Sequence, residues 1–140
     1  MSLPYPDDLT SLVLRTDFSD DGAWATVQAA IDAADEYAIA TYVSDHRFND
    51  VRIEALVTEN TSAAEDEQVV TMFLADSVTM TDPAHPLLAV DLYDEPGRTF
   101  RVPVQWFPEI SANLSIANMD FAEFADAADT SGTFRGFDDH

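Results

Sequence analysis

Three aspartates occupy places where an open α/β sheet could gather them. Asp17 follows the apolar stretch LVLR, Asp76 follows VVTMFLA, and Asp91 lies within LLAVDLY. Ligands of such sheets collect beyond the carboxyl ends of the strands. With Asp20 and Asp21 just after Asp17, the set Asp17, Asp20, Asp76 and Asp91 reads as candidate oxygen ligands for a hard cation such as Mg²⁺ or Ca²⁺. A competing reading is purely local: Asp20 and Asp21 cap a helix, and Asp17 closes a turn. A phosphoryl-accepting site would also need a lysine to meet the phosphoryl charge, and the chain has none.

Ser77, His85 and Asp91 supply the residue types of a hydrolytic triad, with His85 in PAHP placed to face Asp82 or Asp91 as an oriented base. No serine stands in a G-x-S-x-G elbow, and no two histidines have helical ligand spacing. His46, in SDHRFND, reads as a solvated loop histidine, and His140 is terminal. Cysteine is absent, which removes thiolate chemistry, disulfides and cysteine zinc sites. Arginines are scarce. Arg15 lies in an apolar strand, Arg101 in TFRVP and Arg135 in FRGF. Among so many acids each is expected in a charge-assisted pair, pinning Asp17, Asp91 or Glu123 so that strands and C-terminal tail dock. The functional alternative is an anion pocket.

The elements that must position these residues follow from periodicity. SLVLRTDF (11–18) predicts a buried first strand, and Ser19–Asp20–Asp21 starts a helix carrying Trp24, Val27, Ile31 and Ala34 at spacings of three and four. A second strand is expected over Ala38 to Val43. In VRIEALVTEN (51–60), Val51, Ile53, Ala55 and Val57 alternate like a strand. Asp50 and the Ile53–Leu56–Val57 cluster suit a short helix, the preferred reading. Residues 60–67 read as polar and flexible, and VVTMFLA (69–75) as a strand covered on both faces. LLAVDLY and TFRVP, joined by DEPGR, predict an antiparallel hairpin.

Trp106, Ile110, Leu114, Ala117, Phe121, Phe124 and Ala128 form one continuous helical stripe. The polar residues divide it. Asn118 suits a helix C-cap, and Asp120 with Glu123 has capping-box spacing. Two short helices with a tight elbow are therefore expected, with Asn113 bonding backbone groups that the elbow leaves open. The fold class that results is α/β: a single domain over 1–140, with its ordered core about 11–137. A two-layer or three-layer sandwich surrounds a mixed sheet of about five strands, followed by the hairpin and the helical elbow.

Twenty-seven acidic residues against six arginines give a formal charge of −21. Nucleic acid and anionic membranes are repelled by such a surface, whereas basic partners and cations are favoured. Codon usage, a salt-rich habitat and simple solubility would each also produce it. No apolar run is long enough to span a bilayer, and the first residues lack a basic, apolar leader, so a cytoplasmic location is expected.

RTDFSDDGAW (15–24), TDPAHPLLAVDLYDEPGRTFRVP (81–103), NLSIANMDFAEFA (113–125) and FRGF (134–137), in that order, resemble a family of small acidic bacterial proteins known only as a domain of unknown function. The resemblance runs from about Leu12 to Phe137 and implies a self-standing domain. It implies no activity, cofactor or catalytic residue. Two functions remain in view: a non-enzymatic interaction domain for a basic protein (an inhibitor, immunity or adaptor role), or a metal-assisted hydrolase or small-ligand binder using the strand-end aspartates.

Overall fold

In the computed structural model the described residues are 10–34, 40–64, 68–115 and 119–136; Asn118 and His140 lie outside them. The chain runs β1 (Ser11–Arg15), α1 (Asp21–Ala34), β2 (Ala40–Val43), α2 (Ile53–Ser62), β3 (Thr71–Ala75), α3 (Ser77–Thr81), β4 (Leu87–Asp91), β5 (Thr99–Val102), α4 (Phe107–Ser115) and α5 (Phe121–Ala127). Short 3-10 turns fall at His46–Phe48 and Val104–Trp106. One mixed sheet has the order β2-β1-β3-β4-β5. β1 pairs in parallel with β2 and β3, whereas β4 is antiparallel to both β3 and β5.

Strand alternation divides the core. Val13, Phe73, Ala89 and Phe100 face Trp24, Val27 and Ile31 of α1, with Phe107 and Ile110 of α4 and Phe121 and Phe124 of α5. Leu12, Leu14, Met72, Leu74 and Val90 face the other way, onto Leu56 of α2 and Phe48. Helices thus cover both faces, the three-layer form of the expected sandwich. Every residue of β1 is buried, as a central strand requires.

Residues 51–58 resolve in favour of the helix, which continues past its expected end to Ser62. Residues 60–62, read from sequence as flexible, belong to its last turn. Asn60 is the reason. Its buried side chain donates to the Val69 carbonyl at 2.9 Å and accepts the Val69 N–H at 2.7 Å, tying the helix end to the approach to β3.

Two helices, α4 and α5, stand in place of one, with residues 116–118 between them outside the described residues, and Glu123 Oε2 accepts the Asp120 N–H at 3.0 Å as the return half of a capping box. Within the described residues the Asn113 side-chain amide donates to the Glu109 carbonyl in α4, and the Asn113 backbone carbonyl accepts the Met119 N–H. The elbow groups it was expected to bond, at 116–118, lie outside the described residues.

After α5 the tail returns beside β5, where the Arg101 N–H donates to the Gly132 carbonyl and the Phe134 N–H to the Arg101 carbonyl. Phe134 is fully buried against the rings of Phe100, Trp106 and Phe124. Arg135 bonds Asp129 at 2.8 Å. The Ser131 hydroxyl first, and then Arg135, hold the Asp129 carboxyl well below the usual range. Gly136 has φ +88°, and a Cβ there would lie 2.9 Å from the Trp106 ring, so only glycine passes that ring without displacement.

Candidate functional site at the carboxyl edge of the parallel strands

From β1 the chain crosses by α1 to β2 on one side, then returns by α2 over the opposite face to β3 on the other side. The carboxyl ends of β1 and β3 therefore flank a topological switch point, where open α/β sheets form their crevice. A cleft of about 440 Å³ lies there, lined by Thr16, Val51, Arg52, Ile53, Glu54, Leu74, Asp76 and Leu88.

The β2–α2 loop builds one wall. Asp45 caps the 3-10 turn by accepting the Arg47 N–H, and Phe48 anchors that turn in the core. Asp50 adopts φ +55°, a left-handed conformation that aspartate tolerates better than most residues, and its N–H donates to the Thr16 carbonyl at 2.8 Å. Arg52 then stands at the N-cap of α2, with no side-chain cap bond.

The β3 end builds the other wall. Asp76 accepts two parallel hydrogen bonds from Arg101, Nη1 to Oδ1 at 2.9 Å and Nη2 to Oδ2 at 2.8 Å. It also accepts the Thr79 N–H at the start of α3. Burial works against ionisation of Asp76, but the Arg101 guanidinium and Thr79 outweigh it and hold the carboxyl below its usual range. Thr79 is fully buried, and its hydroxyl donates to the Pro86 carbonyl at 2.7 Å. The spacing Asp76-x-x-Thr79 carried this signal in the sequence.

Arg15 is buried on the α1 side of the edge. Its guanidinium lies 4.4 Å from the Phe18 ring centre and 5.7 Å from that of Trp24. It donates to the Asp17 carbonyl and to the exposed Asp21 carboxylate, each at 2.8 Å.

These contacts place each residue singled out from sequence. Asp17 accepts the Ser19 N–H and Asp20 the Ala23 N–H, a turn and a helix cap. Asp76 is occupied by Arg101. Asp91 does not join them. Because β4 runs antiparallel to β3, Asp91 pairs with Thr71 at the opposite edge, where its buried carboxylate accepts the N–H groups of Tyr93, Asp94 and Glu95. Among the described residues no three acidic or histidine side chains come together in a group that could hold a metal ion. The triad types separate as well: His85 Nδ1 bonds the Thr79 carbonyl at 3.0 Å, while Asp91 lies at the far end of β4. His46 stacks on Phe18 at 4.3 Å.

Sequence reasoning passed over Arg52. The other arginines all meet carboxylates: Arg15 meets Asp21, Arg47 meets Asp45, Arg98 meets Glu95 and Asp126, Arg101 meets Asp76, and Arg135 meets Asp129. Arg52 alone takes none among the described residues. No sequence signal marks it, since partners are set by folding.

A family model matches residues 10–137, from the residue before β1 through the returning tail. The chain belongs to the family described as domain of unknown function DUF6924. The matched span takes in both walls of the cleft and the Arg101–Asp76 pair, so the edge just described lies within the family domain. No curated protein matches the chain. No helix among the described residues is long and apolar enough to cross a membrane.

Proposed function

We propose that this member of the family is a non-enzymatic, acidic interaction domain whose carboxyl-edge face docks a basic protein partner. The observation that carries this reading is how the few cations are used. Arg15 is buried and bonded to Asp21, and Arg101 is bound through both terminal nitrogens to Asp76, so each offsets one acid and neither is left for the others at this edge. Asp20, Asp45, Asp50, Glu54 and Asp82 are exposed on the loops and helix starts at this edge. A field of one sign on a face speeds encounter with an opposite surface and sets register more than it adds affinity. With no lysine and six arginines in the chain, the acids at this edge still outnumber its exposed cations Arg47, paired with Asp45, and Arg52. A cytoplasmic inhibitor, immunity or adaptor role fits such a face.

Asparagine retains the caps and turns that these aspartates make while removing their charge. A variant with Asp20, Asp45, Asp50 and Asp82 all changed to Asn should therefore fold like the parent. A basic protein captured from native lysate at low ionic strength should associate with the parent at a rate that falls steeply with salt. The variant should lose at least about tenfold of that rate. Equal association rates for parent and variant, or capture of only an unselective mixture, would remove the reading.

A further inference from the structure

We propose that the switch-point cleft binds a small carboxylate on an aliphatic body. The cleft opens on the same carboxyl edge as the protein-docking face and shares Glu54 with it, but a small ligand there does not depend on that reading. Three observations meet there. The cleft lies between the carboxyl ends of β1 and β3, and its volume of about 440 Å³ falls within the roughly 300–1,000 Å³ of small-molecule sites. Its apolar lining comes from Val51, Ile53, Leu74 and Leu88, four aliphatic side chains and no aromatic one, which suits a branched or short alkyl group rather than a ring. Its cation is Arg52, which takes no carboxylate among the described residues in a chain where carboxylates outnumber arginines more than fourfold.

A guanidinium with no carboxylate among the described residues offers two parallel donors to a planar carboxylate. The neighbouring Asp76 does not compete strongly, because both of its oxygens already accept from Arg101. The Thr16 hydroxyl, buried at the base of the crevice, makes only a long 3.4 Å bond to the Ala75 carbonyl and keeps acceptor capacity toward a ligand donor. The overall charge then limits the ligand. Carboxylates beyond about 8 Å are screened at physiological salt, so one negative charge beside Arg52 is tolerated. A phosphate or polyphosphate brings a second negative charge or more beside Glu54 at the rim, with Arg52 alone to offset it among the described residues that line the cleft outside the Arg101–Asp76 pair. Glu54 at the rim would also accept an ammonium, so the carboxylate could belong to a simple branched acid or to an aliphatic amino acid.

The test is an amide NMR titration of the full chain at constant ionic strength with 3-methylbutanoate, leucine, 3-methylbutan-1-ol and inorganic phosphate. The acid should produce saturable shifts at Thr16, Ile53, Glu54 and Asp76, with the alcohol at least about tenfold weaker and phosphate silent at those amides. Leucine binding tighter than the acid assigns the ligand to amino acids; weaker binding assigns it to simple carboxylates. Arg52 is exposed, so Arg52→Gln leaves the spectrum elsewhere unchanged and should weaken the acid by about tenfold or more. Equal binding of alcohol and acid, an unaltered affinity in Arg52→Gln, or no saturable shift in the millimolar range each overturns the proposal.

Discussion

On one face of the sheet, α1, α3, α4 and α5 close over a core rich in aromatic rings; on the other, α2 and the His46–Phe48 turn lie over mainly aliphatic side chains. The thick face is built from interlocking edge-to-face pairs, such as Phe73 with Phe107 and Phe100 with Phe121. Its last piece is Phe134, delivered by the tail. Among the described residues the thin face has a single α-helix, and where the start of that helix fails to cover the ends of β1 and β3 the cleft remains. The contrast separates residues that hold the domain together from those free to meet a ligand. The interlocking rings lie on the face away from α2, whereas the cleft has an aliphatic lining and an arginine that meets no carboxylate among the described residues.

The largest expected effect comes from the thick face. Phe134→Ala should lower unfolding free energy by about 3–5 kcal/mol in urea denaturation, through lost burial and a cavity among three rings. A cost under about 1 kcal/mol would mean that the tail is an appendage and the two faces are not so different. Leu56→Ala, the matching truncation on the thin face, should cost about 2–3 kcal/mol, towards the lower end for buried leucines because a single covering helix can settle into the gap.

A smaller loss is expected at the seam between the walls. Arg101→Ala leaves Asp76 partly buried without its bidentate partner and should cost about 1–3 kcal/mol. The sign of the accompanying pH effect follows from the lowered carboxyl. Asp76 contributes stability above its ordinary pKa of 3.8, and that contribution is lost as pH falls through its lower folded value. Asp76→Asn should therefore be less stable than the parent at neutral pH, with the difference shrinking as the solution is acidified. A difference independent of pH would show that the ion pair is not what joins β3 to β5. At the cleft mouth, Arg52→Gln should change stability by no more than about 0.5 kcal/mol by thermal or urea unfolding, since the side chain is exposed and holds no partner among the described residues. A larger loss would make Arg52 architecture and dissolve the contrast between the faces.

Much of the frame was legible in the chain itself. The three-and-four spacing of Trp24, Val27 and Ile31 marks α1, and the turn residues between LLAVDLY and TFRVP mark the β4–β5 hairpin. Asp120 with Glu123 marks the start of α5 even though the apolar stripe runs straight through the elbow. Each of these is a contact between residues a few positions apart, so the local order of letters suffices. The end of α2 was missed because Asn60 earns its place only through Val69, across a polar segment.

Strand direction is of the other kind. Nothing near Asp91 says that β4 runs against β3, and that single non-local fact moves its carboxylate from the presumed ligand rim to the opposite edge. Likewise Arg101 finds Asp76 across 25 residues, whereas Arg52 meets no carboxylate among the described residues. Periodicity and capping are short-range properties that the sequence determined alone. Pairing, strand polarity and the open cleft depend on how distant segments share one sheet, and only the tertiary structure decided them.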